Sequence, residues 1–262
     1  MRLDGCSAVI TGASAGIGRE FARQLAPHAK RLVLIARRRE RLEELRDQLG
    51  RINSKLLVEA QIADLSRSEE VKKLGATLEK EQVDVLVNNA GLGDYGSVAI
   101  ADPGRLDEMI QVNVLALTIL TRALLPQMIA QKNGAIMNVS SSASFLPIPG
   151  LAVYAATKAY VTSFSEALRA EVARDGIAVC ALCPGPVHTE FGTVAARASA
   201  EPESAPEFIY VPVETVVRDA LKAIERNKPL VIPGFFMKIG MTLARLTPMP
   251  LLRLAWRFSR RV

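Results

Sequence analysis

TGASAGIG, residues 11–18, decides how the rest of this chain is read. Three glycines, at positions 12, 16 and 18, separate the apolar run SAVI from GIGREFARQLAP, whose Ile17, Phe21 and Leu25 recur at helical spacing. The order is strand, glycine turn, helix. Glycines there let the backbone turn tightly and approach a ligand. The first free N–H groups of the helix, with its dipole, favour an anion such as a pyrophosphate. A glycine-rich turn alone is weak evidence; the flanking strand and helix are the context that gives it meaning.

Outward from this turn, strand-like and helix-like segments alternate. RLVLIA (31–36), KLLVEAQIAD (55–64), VDVLVNNAG (83–91), GAIMNVSS (134–141), IAVCALCPG (177–185) and PLVIPG (229–234) read as further strands. Helices are predicted over 39–49, 66–81, 103–131, 151–174 and 213–226. Seven apolar strands separated by helices call for a single-domain α/β fold, doubly wound in the Rossmann manner. Its seven-stranded, mainly parallel sheet carries helices on both faces. Pro186–Pro212 reads as a loop, and its polar part ASAEPESAPEFIY (198–210) as either a lid or a plain surface loop.

Composition sets outer bounds. At 262 residues, 49% apolar and 23% charged, the chain is globular and long enough for one large core. No charged n-region followed by an apolar run marks a signal peptide. No uncharged run reaches the roughly 18 residues of a spanning helix. Cys6, Cys180 and Cys183 are too few for a disulfide framework; the CxxC they include lies in an apolar strand and reads as small hydrophobes, with no metal site expected. A reducing cytoplasm fits. The net charge of +6 is uneven: residues 235–262 hold six of the 33 basic residues and no acidic one, so the preceding 234 carry 27 basic and 27 acidic groups. The body has no basic face with interleaved aromatics, so nucleic acid is not an expected partner.

The end of the second strand discriminates between dinucleotides. An acid there binds the ribose hydroxyls of NAD, whereas an arginine suits the 2′-phosphate of NADP. The chain reads LIARRRER, with Arg37 after Ala36 and no acid before Glu40. A guanidinium grips phosphate in bidentate fashion, and arginines at a helix start are otherwise mildly unfavourable. The predicted cofactor is NADP(H).

YAATK (154–158) carries the chemistry. Tyr154 and Lys158 are an i,i+4 pair on one helix face. An ammonium favours the phenolate of a group whose reference pKa is about 10. Tyr160, two residues from Lys158, does not face it and is expected to pack.

TGASAGIG, NNAG (88–91), Asn113 in NVLA, NVSS ending at Ser141, YAATK and PGPVHT (184–189) occur in the order and spacing of the classical short-chain dehydrogenases/reductases, which the chain resembles over about residues 5–234. The resemblance implies a catalytic domain over 1–234, with 235–262 an extension rather than a domain. It implies a tetrad of Asn113, Ser141, Tyr154 and Lys158. Tyr154 is then the acid/base. Lys158 tunes it and holds the nicotinamide ribose, and Asn113 supports a water-linked relay behind Lys158. The plainer alternative for Asn113 is a buried amide satisfying the backbone of its own helix. Ser141 precedes Tyr154 by thirteen positions, as the family's substrate-binding serine does, which leaves Ser140 and Ser142 structural.

The same resemblance implies cofactor contacts from Gly12, Ser14, Ala15, Gly16, Ile17 and Gly18 in the turn, from Arg37, and from Asp64 and Leu65 at the adenine. Asn89, Ala90 and Gly91 border the adenosine side, with Asn88 tying the central strands together. Pro184, Gly185, Val187 and Thr189 meet the nicotinamide. Ala15 departs from the serine or basic residue common in the turn, leaving Ser14 and Arg37 to recognise phosphate. Ser144 stands where a glycine is frequent.

The expected activity is interconversion of a ketone and a secondary alcohol on a small lipophilic substrate, of 3-oxoacyl or steroid-like type. The expected assembly is a homodimer or homotetramer. The alternatives are a non-catalytic dinucleotide sensor and a membrane-recruited scaffold. The sensor has no need of the complete tetrad. The basic, apolar segment 235–262 has two parts flanking TPMP, each too short to span a bilayer. It fits a helix packed on the cleft or on a subunit, a peripheral membrane contact, or a solvated end.

Overall fold

The computed structural model describes residues 2–196 and 206–253. Seven strands, β1 (Ser7–Thr11), β2 (Arg31–Ala36), β3 (Leu57–Ile62), β4 (Val85–Asn88), β5 (Gly134–Val139), β6 (Ile177–Leu182) and β7 (Leu230–Val231), form one sheet in the order β3-β2-β1-β4-β5-β6-β7. All six pairings are parallel. The chain runs outward from β1 to β3 and then returns to β4. The carboxyl ends of β1 and β4 therefore flank the crevice where such sheets bind ligands.

Strand alternation divides the core between the two faces. Ala8 and Ile10 of β1 and Leu32 and Leu34 of β2 pack with Phe21 and Leu25 of α1 (Gly16–Leu25), Leu42 and Leu45 of α2 (Arg39–Ile52), and Val216 and Ile224 of the helix Val213–Glu225. Val9, Val33 and Ile35 point the other way. They pack with Val71 and Leu74 of α3 (Ser68–Leu78) and with Leu120 and Leu124.

The helix expected over 103–131 starts at Pro103, capped by the Asp102 carboxylate, but is not uniform. An α-helix α4 (Pro103–Ile110) passes into a π-helical segment, Gln111–Ala116, before α5 (Leu117–Gln131). Such a bulge inserts a residue into the helical ladder and is common at functional sites. Asn113 lies inside it. The stretch is long and apolar enough to cross a bilayer by length alone, but more than half of it is buried in the core.

After β5 a 3₁₀ turn, Ser142–Phe145, leads to α6 (Ala152–Glu171). The segment expected to be all loop after β6 contains α7 (Glu190–Ala195), opened by Thr189, whose hydroxyl caps Phe191 N. The helix Val213–Glu225 is α8. The expected strand 229–234 shrinks to two residues at the sheet edge, since Pro233 has no N–H to donate and Gly234 turns at φ +85° into α9 (Phe235–Leu246). Most of the lid stretch 198–210 lies outside the described residues, as does the end of the chain from position 254.

Candidate active site

A groove of about 580 Å³ opens over the carboxyl ends of the strands and is lined by the turns after β1, β2, β4, β5 and β6. Its floor at one end is the glycine turn. Gly12 has φ +66°, and a Cβ there would lie 2.8 Å from Asn89 Nδ2. A Cβ on Gly18 would lie 2.4 Å from both Asn89 Nδ2 and the Gly12 carbonyl oxygen. The turn is locked to the β4 loop. Asn89 Nδ2 donates to the carbonyls of Thr11 (2.9 Å) and Gly12 (3.2 Å), and the Thr11 hydroxyl accepts from the amides of Asn89 and Ala90. Asn89 therefore builds the groove with its backbone and spends its side chain on scaffolding. The first turn of α1 has no side-chain cap at Ala15, which leaves its amides facing the groove for an anion.

Ser14, Ala15, Gly16, Ile17 and Arg37 line the same end, as do Asp64 and Leu65. Burial would raise the Asp64 carboxyl, but the Ser66 hydroxyl and amide, with Arg37 and Arg67 nearby, hold it below the usual range. The structure adds a residue the sequence reading passed over. Arg38 donates through Nε and a terminal nitrogen to Ser14 Oγ, at 3.3 and 3.0 Å, and through its other terminal nitrogen to Glu190 at 2.8 Å. Glu190 also pairs with Arg41. The signal was present in ARRRER, but nothing in a one-dimensional run says which arginine turns inward. Cβ-free glycines, uncapped helix amides and an arginine–serine cluster together fit a dinucleotide carrying a 2′-phosphate.

At the other end the tetrad converges. The Ser141 hydroxyl caps the 3₁₀ turn by accepting from Ala143 N at 3.1 Å, and its influence on the Tyr154 phenol is to lower it. Lys158 is 3% exposed; its Nζ donates to the Val139 carbonyl at 2.9 Å and lies 5.8 Å from the Tyr154 ring centroid. Gly91 lets the ammonium in, because a Cβ there would stand 3.2 Å from Nζ. Asn113 does satisfy backbone groups, but those of Leu92 across the groove rather than its own helix. Its Oδ1 accepts from Leu92 N at 2.8 Å, and its Nδ2 donates to Leu92 O and to Thr157 Oγ1. Pro184, Gly185, Val187 and Thr189 line the groove beside Tyr154.

Burial dominates both partners of the pair: it pushes the Tyr154 phenol up to about 12, against the Ser141 hydrogen bond, and the Lys158 ammonium down to about 8. Near neutral pH Tyr154 is thus a neutral phenol rather than a phenolate, and Lys158 remains mostly an ammonium. A phenol is a proton donor, which suits carbonyl reduction.

The neighbouring residues sort cleanly. Ser140 Oγ bonds the Lys158 carbonyl (2.8 Å) and Thr162 (2.7 Å), a structural role. Tyr160 stacks on Phe164 and bonds Thr118 on the outer surface, away from the groove. Asn88 ties β4 to Asn138 of β5 at 2.9 Å. Cys180 and Cys183 are fully buried. Phe191 of α7 packs on the Tyr154 ring (centroids 5.6 Å apart) and closes over Gly93, a contact hidden in the stretch read as loop. Leu146, Ile148, Leu151, Val194 and Met241 make this end of the groove apolar.

The family profile described as short chain dehydrogenase matches residues 7–199. The very-long-chain 3-oxoacyl-CoA reductase of Anas platyrhynchos is 34% identical over 229 residues, 84% of this chain and 69% of that relative. A short-chain dehydrogenase from Sphingobium yanoikuyae, solved in complex with NADPH, superposes with a TM-score of 0.80 at 32% identity, covering 87% of each chain. The bulky-bulky ketone specific alcohol dehydrogenase from Comamonas testosteroni superposes with a TM-score of 0.77 at 28% identity, covering 88% of this chain and 86% of that one.

Proposed function

Since the chain belongs to the short-chain dehydrogenase family, we propose that it is an NADP(H)-dependent oxidoreductase that reduces a bulky, lipophilic ketone to a secondary alcohol, with Tyr154 as the proton donor. The observation that carries this reading is the placing of Tyr154 with Ser141 and Lys158 at the apolar end of a groove whose other end presents Ser14, Arg37 and Arg38, with desolvation keeping the Tyr154 phenol protonated.

When bound, the nicotinamide supplies hydride to the carbonyl carbon. Ser141 and Tyr154 hydrogen-bond the carbonyl oxygen and stabilise the negative charge that develops on it. The Tyr154 O–H then breaks, its proton passes to that oxygen, and the phenolate left behind is stabilised by the Lys158 ammonium. The Val139 carbonyl fixes Lys158 in place. Asn113 positions the Leu92 loop against α6 through Thr157, close to the Lys158 ammonium that would hold the ribose. Phe191 of α7 covers one side of the Tyr154 ring.

The apolar lining supports a 3-oxoacyl or steroid-like ketone over a sugar or a small polar acid. The outer faces around α5 and α6 expose Leu115, Ile129 and Tyr160, which supports assembly into a homodimer or homotetramer through these helices. A purely dinucleotide-sensing role would leave the Ser141–Tyr154–Lys158 arrangement without a use. The test is NADPH oxidation across ketones, aldehydes and 3-oxoacyl thioesters, with NADH as control. Tyr154→Phe should bind NADPH and turn nothing over; equal turnover by this variant overturns the reading.

A further inference from the structure

Helix α9 is apolar on two sides. Its inner side carries Met237, which packs on Gly185, and Met241, which lines the groove. At 100° per residue, Phe235, Phe236, Ile239, Leu243 and Leu246 fall on a separate arc about 100° wide. All five are exposed, Phe235 and Leu246 by 72% and 75%. Phe208, itself 69% exposed, extends this surface edge-on against Phe236. A contiguous apolar surface of this kind marks an interaction site.

Along one flank of the arc lie Lys238 and Arg245, the latter resting over the Phe145 ring. Beside Phe235 and Lys238 a second groove, of about 290 Å³, opens between α8, β7 and α9. Lys222, Arg226, Lys228 and Lys238 line it against a single carboxylate, Asp219. None of the four cations has an ion-pair partner among the described residues. Glu207, adjacent to Phe208 in the chain, is engaged by His188 at 2.9 Å.

We infer that this face docks on an anionic lipid bilayer, which brings the groove mouth to the membrane surface; the corollary that the ketone is delivered from the lipid phase rests on the reductase reading above. An exposed apolar arc bordered by cations is the pattern of a helix lying in the interfacial plane, with rings and aliphatic chains in the acyl boundary and cations at the phosphates. A second copy of this chain fits less well, because a two-fold contact places the same cationic groove against itself or leaves it unmatched. The sequence beyond Leu246 continues the pattern with Arg253, Arg257, Arg260 and Arg261 among leucines, Trp256 and Phe258, and adds no acid.

The experiment uses the full chain with vesicles of phosphatidylcholine alone or with 30% phosphatidylserine, read by flotation, with light scattering for oligomeric state. Wild type should float with the anionic vesicles and much less with the neutral ones. Phe235→Ser/Phe236→Ser/Leu243→Ser should abolish flotation. Each of Lys222→Gln, Arg226→Gln and Lys228→Gln should weaken the partition about fivefold, the value of one cation near an anionic surface. All variants should retain turnover of a water-soluble ketone with NADPH, which shows that they are folded. Flotation unchanged in the apolar triple variant, absent in wild type, or replaced by a loss of oligomeric state overturns the docking inference. Absence of ketone turnover in wild type with flotation intact overturns the reductase reading alone.

Discussion

Replacing Arg38 by alanine tests the cofactor end of the groove most directly, because the two nicotinamide dinucleotides differ only in the 2′-phosphate. In the fold, Arg38 is held by Ser14 at 3.0 Å and Glu190 at 2.8 Å, so its guanidinium is placed before any phosphate arrives. A hydrogen bond between charged groups contributes about 1.5–3 kcal/mol when well shielded. The Arg38 side chain is 43% exposed, and Glu190 already claims part of it, so solvent screening roughly halves this figure to about 0.75–1.5 kcal/mol. Arg38→Ala should therefore weaken NADPH about 4- to 12-fold and NADH by less than about twofold. Glu190→Gln removes a competing acceptor and should leave NADPH at least as tightly bound. Titration of nicotinamide fluorescence at fixed ionic strength reads all three. Equal weakening of NADPH and NADH in Arg38→Ala would mean that the side chain merely supports the groove. No weakening of either would remove Arg38 from phosphate recognition and leave Arg37 alone.

Other perturbations follow from single contacts. Tyr154→Phe should lower kcat by about 10²- to 10⁴-fold while NADPH affinity, measured by titration, stays within about twofold. Gly18→Ala places a Cβ 2.4 Å from the Gly12 carbonyl, so the turn must shift; about 1–3 kcal/mol of stability and at least about tenfold in NADPH affinity should be lost, read by calorimetry and titration. With Tyr154 protonated to about 12 and Lys158 titrating near 8, reductive kcat/KM should hold through neutral pH and decline as pH rises through about 8. Lys158→Arg cannot lose its charge, so whatever activity it keeps should lack this decline; a wild-type profile flat to pH 10 would contradict the assignment. Asn138 is fully buried, and its amide accepts from Asn88 and donates to Ser165. Asn138→Ala should cost about 2–4 kcal/mol and lower Tm by about 5–12 °C.

The fold was legible because the strands other than β3 are short, nearly continuous apolar runs, and helices such as α1, α2 and α8 carry a periodic apolar stripe. Local spacing also sufficed for Tyr154 and Lys158, since an i,i+4 relation is a property of any helix. It did not suffice for their protonation. The reading from spacing counted only nearby charge, whereas the fold adds desolvation, which raises the Tyr154 phenol and lowers the Lys158 ammonium. Asn113 shows the same limit. Its position in NVLA was readable, but the π-helical bulge and the clamp on Leu92 arise from how α4 and α5 pack across the groove. The stretch 186–212 was read as loop because its proline and polar content conceals the six residues of α7. That helix is held by Phe191 on Tyr154 and by Glu190 on two arginines, contacts made to residues far away in the chain.

The sequence alone showed the alternation of strands and helices along the chain, the glycine turn, the arginine at 37 and the YAATK pair, because each depends on residues close together along the chain. Tertiary structure decided which arginine joins Ser14, that desolvation raises the Tyr154 phenol and lowers the Lys158 ammonium, and that α9 turns methionines to the groove and phenylalanines outward. Those outcomes depend on desolvation and on distances between segments remote in sequence, and neither is encoded in local spacing.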